Sequence, residues 1–460
     1  MSALGTNKTK KIDMTTGSIM QKVFLFAIPI VIANILQQLY TTVDTIVIGH
    51  FCGHESLAAV GTSAQPVEVL ICVFLGIGTG ASILVSQYIG AANREGIIRL
   101  TRTAVSFVYM CGIPVAVIGW LLTPFLLKFM GVPQDAWEPA LIYTRIVFLG
   151  ALGNIGYNMN AGVLRGLGDS KASLWFLLVS CVSNIILDAT FVAFLGMDVG
   201  GAALSTSIAM FISWIISIVY IKVKYPELEY TYLPRTIYRD ELRKVIALGL
   251  PIGLNNSLYS FGHMAMQMLV NEQGSVFMAG ASIAGRITGI SGIAITAVSQ
   301  AASTFSGQNF GAGNFSRLRE GYLKIPVASG FITLLMGTTF FLLRYPILGI
   351  FSDNAGVIMY ANRYVSIVLF SQWMYAVFNG IMNIVNGVGK VKYTTVVNLL
   401  MLWAVRIPCA YIISRFFDGT YIMISIPASF FFGMACMIGY ALLSPGWKEV
   451  ISREDTVIEG

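Results

Sequence analysis

Charged residues are scarce in this chain. Asp, Glu, Lys and Arg make up 11% of its 460 residues, while 56% of the residues are hydrophobic; soluble domains carry about 25% charged residues. So few charges cannot cover a water-soluble surface, which excludes a soluble enzyme with a single anchor. The bilayer is the expected solvent, and a helix that spans it needs about 20 apolar residues.

Several motifs are also absent. The six cysteines include no Cys-x-x-Cys pair, so we expect neither a disulfide framework nor a cysteine metal site. No GxxxxGK[ST] motif occurs, so ATP is not the expected energy source. The net charge of +7 comes from basic residues in short loops rather than a continuous stripe, which argues against a nucleic-acid partner. We expect no enzymatic activity, no cofactor, and no metal beyond Na⁺.

Apolar runs separated by polar breaks predict an all-α polytopic membrane protein with twelve transmembrane helices. The first run is too long for a signal-peptide core and is expected to stay attached. The predicted spans are 20–48, 57–89, 103–128, 136–160, 172–195, 199–222, 244–271, 276–308, 324–350, 357–386, 391–414 and 420–443. The predicted domains are an N-terminal lobe at 1–221, a cytoplasmic linker at 222–243, a C-terminal lobe at 244–445 and a cytoplasmic tail at 446–460.

The basic residues predict the orientation, because loops rich in Lys and Arg stay cytoplasmic. With both termini inside, the cytoplasmic segments hold 22 of the 29 basic residues. The chain is therefore expected to be a multi-pass protein with both termini in the cytoplasm. Its short loops and the lack of a long amphipathic tail favour a bacterial inner membrane.

The two halves of the chain repeat each other. GASILVSQYIGAANRE (80–95) aligns with AASTFSGQNFGAGNFS (301–316), and VLRGLGDSK (163–171) aligns with IVNGVGKVK (384–392), both at the same offset along the chain. With six spans per half, both copies begin on the cytoplasmic side, so the repeat is parallel. We expect two six-helix lobes around a central cleft.

Acidic residues are rare within the spans. Only Asp44, Glu68 and Asp188 lie deep, and all belong to the first half. Asn184 precedes Asp188 by one helical turn, and Thr206 opens the next span, so carboxylate and neutral oxygens can meet there. Such oxygens suit a small hard cation, and a buried pair of carboxylates can also carry a proton. Alternatively, these residues are satisfied polar groups that hold helices together.

Other unusual residues in the spans are candidates for movement and substrate contact. Pro29 and Pro251 interrupt the first helix of each half and permit a bend, and we expect a hinge at Pro29. Arg286 and Arg406 either line the cleft or pair with backbone carbonyls. We expect substrate contact from residues that include Glu68, His263, Met266 and Arg286.

Four elements together resemble the multidrug and toxic compound extrusion (MATE) family. They are FAIPIVIANILQQLYTTVDTIVIGH in the first span, Gln-x-x-Gly-Ala at 87–91 and 308–312, the GLGDSK loop, and NIILDATFV. The resemblance implies two six-helix bundles, alternating access, and a cation site in the first lobe. The implied site is Asp44, Asn184, Asp188 and Thr206, with Tyr40, Tyr143 and Asn158 completing a polar network and Gln37 lining the cleft.

These features predict an antiporter that exports small amphiphilic, often cationic, compounds in exchange for Na⁺ or H⁺. It should work in the bilayer as a monomer without an obligate protein partner. Span 357–386 contains no acid, so coupling through the second lobe is not expected. The alternative within the same superfamily is a flippase for lipid-linked oligosaccharides, which calls for a more cationic cleft. A channel or receptor fits less well, because acids confined to one lobe suggest a coupled carrier.

Overall fold

The structure is a computed structural model that describes residues 11–130, 132, 134, 136–233 and 236–455, without the side chains of 53–59, 61–68 and 70. All regular structure in these residues is helical. The α-helices are α1 Ile19–Phe51, α2 Gly53–Gly90, α3 Arg94–Phe129, α4 Trp137–Gly166, α5 Ser170–Asp188, α6 Asp198–Lys224, α7 Arg239–Asn271, α8 Ser275–Gly311, α9 Phe315–Leu342, α10 Arg344–Phe351, α11 Ala355–Leu369, α12 Gln372–Gly387, α13 Val391–Leu400, α14 Ile407–Phe416, α15 Ser425–Leu443 and α16 Pro445–Ser452. Two π-helices, Ala189–Phe194 and Met401–Arg406, and two 3₁₀-helices, Pro226–Leu228 and Gly419–Ile424, complete the set.

The predicted membrane fold is confirmed. Within the described residues, ten helices are long and apolar enough to cross a bilayer, or eleven if α11 and α12, bent by 43°, form one span. Helix α7 has 33 residues, which is long enough to cross, but it is more polar than the others. With α7, these elements correspond to the twelve predicted spans.

The predicted bounds were wrong where helices break or continue beyond the apolar run. The predicted span 324–350 contains two helices, α9 and α10, and 357–386 is divided between α11 and α12. Helix α3 begins at Arg94, well before the predicted start at 103. Apolar composition identifies the part of a helix that lies in the hydrocarbon layer. The same helix can continue into the aqueous phase, where its residues are charged or polar.

The backbone repeats at the offset seen in the sequence. Helices α3 and α5 begin at Arg94 and Ser170, and α9 and α13 begin at the equivalent positions of the second half, Phe315 and Val391. Helix α4 packs on α2, α3 and α6, while α12 packs on α8, α9 and α15, which are the equivalent helices of the second half. The repeat therefore extends from sequence to helix packing.

Left-handed turns occur at equivalent positions in both halves. Gly168 and Gly389 have φ angles of 89° and 96°, and Ala92 and Gly313 have φ angles of 51° and 70°. Both pairs are related by the same offset as the sequence repeat. A positive φ favours glycine, so the two turns are retained even where Ala92 bears a side chain.

The chain divides into two compact units. The first contains Ile28–Asn256, and the second contains Met14–Ala27 and the residues from Ser257 onwards. Helices α1 and α7 thus each contribute residues to both units. The lobe and linker bounds derived from the sequence, at 221 and 244, stay a prediction.

Helices α2 and α7 cross closely within the first unit. A Cβ atom on Gly76 would lie 2.1 Å from the backbone nitrogen of Gly253, and one on Gly80 would lie 2.6 Å from that of Gly249. In each helix the two glycines are one turn apart, so they form one face that lets membrane helices approach. The crossing depends on these bare Cα atoms.

A polar cluster holds the loop between α4 and α5. Asp169 is 4% exposed, and its Oδ2 accepts hydrogen bonds from the Tyr220 hydroxyl at 2.8 Å, the Tyr225 hydroxyl at 2.6 Å and Lys224 Nζ at 2.9 Å. Its Oδ1 caps α5 by accepting from the Ala172 amide. Burial acts to raise the pKa of Asp169, but the hydrogen bonds from these three side chains outweigh burial and place the pKa below its ordinary value.

Asp169→Asn is expected to destabilise the protein by about 3 kcal/mol at pH 7, because it breaks a buried ion pair. Since the folded-state pKa is depressed, the stabilisation by the ionised carboxylate is present above the unfolded-state pKa of about 3.9 and is lost as pH falls through the folded-state value. Melting temperatures of the wild type and of Asp169→Asn are measured in detergent from pH 7 down to pH 3. They should differ at pH 7 and converge as the pH falls. The exposed Asp240→Asn is the matched control. A constant difference at all pH values would contradict the ionised role.

Candidate cation site

Asp188 occupies a specialised point on the fifth span. It is the last residue of α5, it is fully buried, and the helix continues directly into the π-helix Ala189–Phe194. π-Helices are rare in proteins, and those that occur are often found at functional sites. Asn184, one turn earlier on the same face, is also fully buried. The fifth span thus presents a carboxylate and an amide on one face, one turn apart.

Helix α6 supplies hydroxyl groups to this pair. The Ser205 hydroxyl donates a hydrogen bond to Oδ1 of Asp188. The Asn184 side-chain amide donates to the Thr206 hydroxyl at 3.4 Å. Neighbouring residues of α6 therefore contact both polar groups of α5.

Helix α1 brings the second acid. The carboxyl group of Asp44 lies within electrostatic range of Asp188. The buried side chains of Tyr40 and Tyr143 lie close enough to interact electrostatically with both acids. None of the ion pairs in the described part of the chain includes Asp44 or Asp188. The half-buried Asp44 and the buried Asp188 therefore share one site, and neither is paired to a basic side chain among the described residues.

Three oxygens of this cluster are buried without a hydrogen-bond donor: Oδ1 of Asp44, Oδ1 of Asn184 and Oδ2 of Asp188. An unsatisfied buried polar atom costs about 1–3 kcal/mol. Carboxylate, amide and hydroxyl oxygens are the ligands of hard cations, and two adjacent carboxyl groups can share a proton. The donor set fits either Na⁺ or H⁺.

The remaining predicted residues of the first half are placed as follows. Asn158 is half-buried on α4, and its amide donates to the carbonyl and side-chain oxygens of Asn154 at 2.9 and 2.8 Å. Gln37 is exposed on α1, and Pro29 is buried within the same helix. The Glu68 side chain lies outside the described residues. The structure brings Asp44, Asp188 and their neighbours together, whereas these hydrogen bonds of Asn158 stay on its own helix.

Predicted substrate-lining residues of the second half are scattered along two helices. His263 is exposed on α7, with its ring 4.9 Å from that of Tyr259. Met266 is half-buried against an apolar cluster that includes Leu269, and Arg286 is exposed on α8. A role in substrate contact stays a prediction for these residues.

From the sequence, one residue of the site was missed and the partners of a residue in the second half were misjudged. Ser205 was passed over for its neighbour Thr206, because the sequence GAALSTS does not show which hydroxyl faces α5. Arg406 was expected to line a cleft or to pair with backbone carbonyls, but it is buried and donates to the side-chain oxygens of Ser429 and Tyr259. The only sequence signal for Arg406 was its position within an apolar run.

Known proteins match both the sequence and the structure. The model of the family described as MatE matches residues 29–190 and 251–412, once in each half. The "Probable multidrug resistance protein YoeA" of Bacillus subtilis is 26% identical, covering 92% of this chain and 93% of its own length. The "Probable multidrug resistance protein NorM" of Thermotoga maritima is 23% identical, covering 87% of each chain.

Solved structures of similar fold cover nearly the whole chain. An outward-facing multidrug resistance MATE family transporter of the MOP superfamily superposes with a TM-score of 0.86 at 23% identity, covering 96% of this chain and 98% of its own. A MOP superfamily transporter from Pyrococcus furiosus, described as having a binding pocket of reverse polarity that suggests a different function, gives a TM-score of 0.85 at 23% identity, covering 97% and 100%.

Proposed function

Because this chain belongs to the MatE family, we propose that it is a cation-coupled antiporter that exports small amphiphilic compounds, many of them cationic. The names of its relatives as probable multidrug resistance proteins support a role in drug export. The observation that carries the coupling is the pair formed by the half-buried Asp44 and the buried Asp188, neither of which takes part in an ion pair among the described residues. We propose no catalytic reaction.

The proposed coupling follows from the electrostatics of that pair. Two ionised carboxylates in a low-dielectric site repel each other, so an incoming Na⁺ or H⁺ lowers the free energy of the state that encloses them. A ligand shifts a conformational equilibrium only by its difference in affinity between the states. Cation binding at Asp44 and Asp188 would therefore favour one orientation of the transporter, and substrate binding would favour the other.

Pro29 is the proposed hinge. Helix α1 belongs to the second unit up to Ala27 and to the first from Ile28, immediately before the proline. Proline removes one backbone hydrogen bond and weakens the helix locally. A bend here would move Asp44, about four turns further along α1, relative to Asp188 on α5.

Several further points belong to the proposal. We propose a monomer in a bacterial inner membrane, with both termini in the cytoplasm and no obligate protein partner. The flippase alternative is not favoured, because the named relatives are multidrug resistance proteins. A channel would not need a buried acid pair in one lobe only.

The decisive experiment is transport of rhodamine 6G, a fluorescent cation, in proteoliposomes. A Na⁺ gradient and a pH gradient are imposed separately on vesicles that contain the full-length protein. Export driven by one of them would support the antiporter and identify its ion. Export driven by neither would reject cation coupling, and a labelled lipid would then test the flippase alternative.

Ser205→Ala is expected to lower the concentration of the driving cation at half-maximal export about tenfold, because the Ser205 hydroxyl stabilises the ionised, cation-free form of Asp188. Hydrogen bonds to charged groups contribute about 1.5–3 kcal/mol, and this hydroxyl donates to Asp188. Ser207→Ala is the matched control on the same helix, α6, because that hydroxyl donates to the carbonyls of Ala203 at 2.8 Å and Ile146 at 3.3 Å. Equal effects of both substitutions would show that Ser205 does not position Asp188.

A further inference from the structure

A buried arginine lies within the second unit. Arg406 is the last residue of the π-helix Met401–Arg406 and is 4% exposed. Its Nε donates to the Ser429 hydroxyl at 2.9 Å, and its Nη1 donates to the Tyr259 hydroxyl at 3.2 Å. Its Nη2 is buried without an acceptor. The guanidinium group thus has neutral partners on two nitrogens and none on the third.

No acid compensates this charge among the described residues. None of their ion pairs includes Arg406, and Glu272, the acid that follows α7, pairs instead with Arg415 at 3.4 Å. A guanidinium group cannot give up its proton in a protein. An arginine within a membrane segment is costly to place and is a functional candidate by default. The charge is therefore present and unbalanced.

Aromatic rings hold the guanidinium group in place. It lies over the Phe430 ring, 5.1 Å from its centroid, and the Tyr375 ring stacks on Phe430 at 4.7 Å. Tyr259, which accepts from Nη1, packs edge-on against the exposed His263 at 4.9 Å. A planar fork fixed in this way is pre-organised for a group with two oxygens, such as a carboxylate.

We infer that Arg406 is a specificity-determining residue that binds the carboxylate of exported amphiphiles with an acid group. The inference rests on the proposed export function and assigns one residue of its substrate site. The half-buried Tyr375 offers a ring for the apolar body, and the free Nη2 offers a hydrogen-bond donor that a carboxylate oxygen would bind more strongly than a neutral oxygen. Movement of the Tyr259 side chain away from Nη1 would open access from the side of His263.

Two dyes that differ in one group test the inference. Rhodamine 19 carries a free carboxylate, and rhodamine 6G is its ethyl ester. Their binding to the full-length protein in detergent is measured by fluorescence anisotropy. Arg406→Gln should weaken binding of rhodamine 19 about tenfold or more, as expected for a lost charge-assisted hydrogen bond, while leaving rhodamine 6G within about twofold. Arg415→Gln, at an exposed arginine, should change neither.

Other outcomes would overturn the inference. They are a wild-type protein that does not bind rhodamine 19, equal weakening for the two dyes, or no weakening for either. If Arg406→Gln does not give a monodisperse protein, Arg406→Lys keeps the charge and removes the fork, and it should weaken only rhodamine 19. If rhodamine 19 binding depends on Arg406 but no gradient drives export, the export function alone is rejected. If export occurs but rhodamine 19 binding does not depend on Arg406, the carboxylate site alone is rejected.

Discussion

Asp188→Asn is expected to abolish cation-driven export. The initial rate of rhodamine 6G transport should fall about 100-fold or more, while the protein stays folded. Asparagine has nearly the same shape, and its side-chain oxygen can still accept from Ser205. The substitution removes the charge that attracts the cation and that repels Asp44. Rates are measured in proteoliposomes under whichever gradient drives the wild type.

The partner acid provides the sharpest comparison. Asp44→Asn should cause a similar loss, and the double variant should be no slower than either single variant, because residues that act as one unit are not additive. The exposed Asp240→Asn should export normally. Wild-type export by Asp188→Asn would remove the acid pair from the coupling mechanism.

Gly76→Ala should destabilise the fold by about 3 kcal/mol, towards the upper end of the range for overpacked sites. The new Cβ atom would lie 2.1 Å from the backbone of Gly253, so the backbones of α2 and α7 would have to separate. Flexible side chains can rotate away from a clash, but a backbone nitrogen cannot. The measurements are the yield of monodisperse protein and its melting temperature.

Gly292→Ala is the matched control for this prediction. Gly292 also lies within a long membrane helix, α8, but a Cβ atom there would meet nothing within 4 Å. Replacing a helical glycine by alanine in open space is expected to stabilise the helix by up to about 1 kcal/mol. Similar melting temperatures for the two variants would contradict the role of the α2–α7 glycine crossing.

The sequence predicted those parts of the fold that depend on the bilayer and on the repeat. Apolar length alone identifies a spanning segment, and the constant offset of the repeat recurs in the starts of α3, α5, α9 and α13. It did not predict the two π-helices or the break between α11 and α12, because these depend on local packing and leave the composition unchanged.

The candidate site was also predicted only in part. The spacing of Asn184 and Asp188 places both on one face of any helix, so their proximity follows from the sequence. Which hydroxyl of α6 contacts Asp188 depends on the rotation of that helix, and Ser205 could not be preferred over Thr206 without coordinates. For the same reason, the position of Arg406 did not reveal that Ser429 and Tyr259 enclose it.

The paired left-handed turns also bear on the ancestry of the chain. Duplication and fusion of a six-helix gene would have produced two halves with identical turns and identical interiors. The turns at Ala92 and Gly168 still match those at Gly313 and Gly389, whereas the position equivalent to Asp188 in the second half now holds Cys409. A duplication of this kind would therefore have kept the backbone turns and left the interior positions free to differ between the two halves.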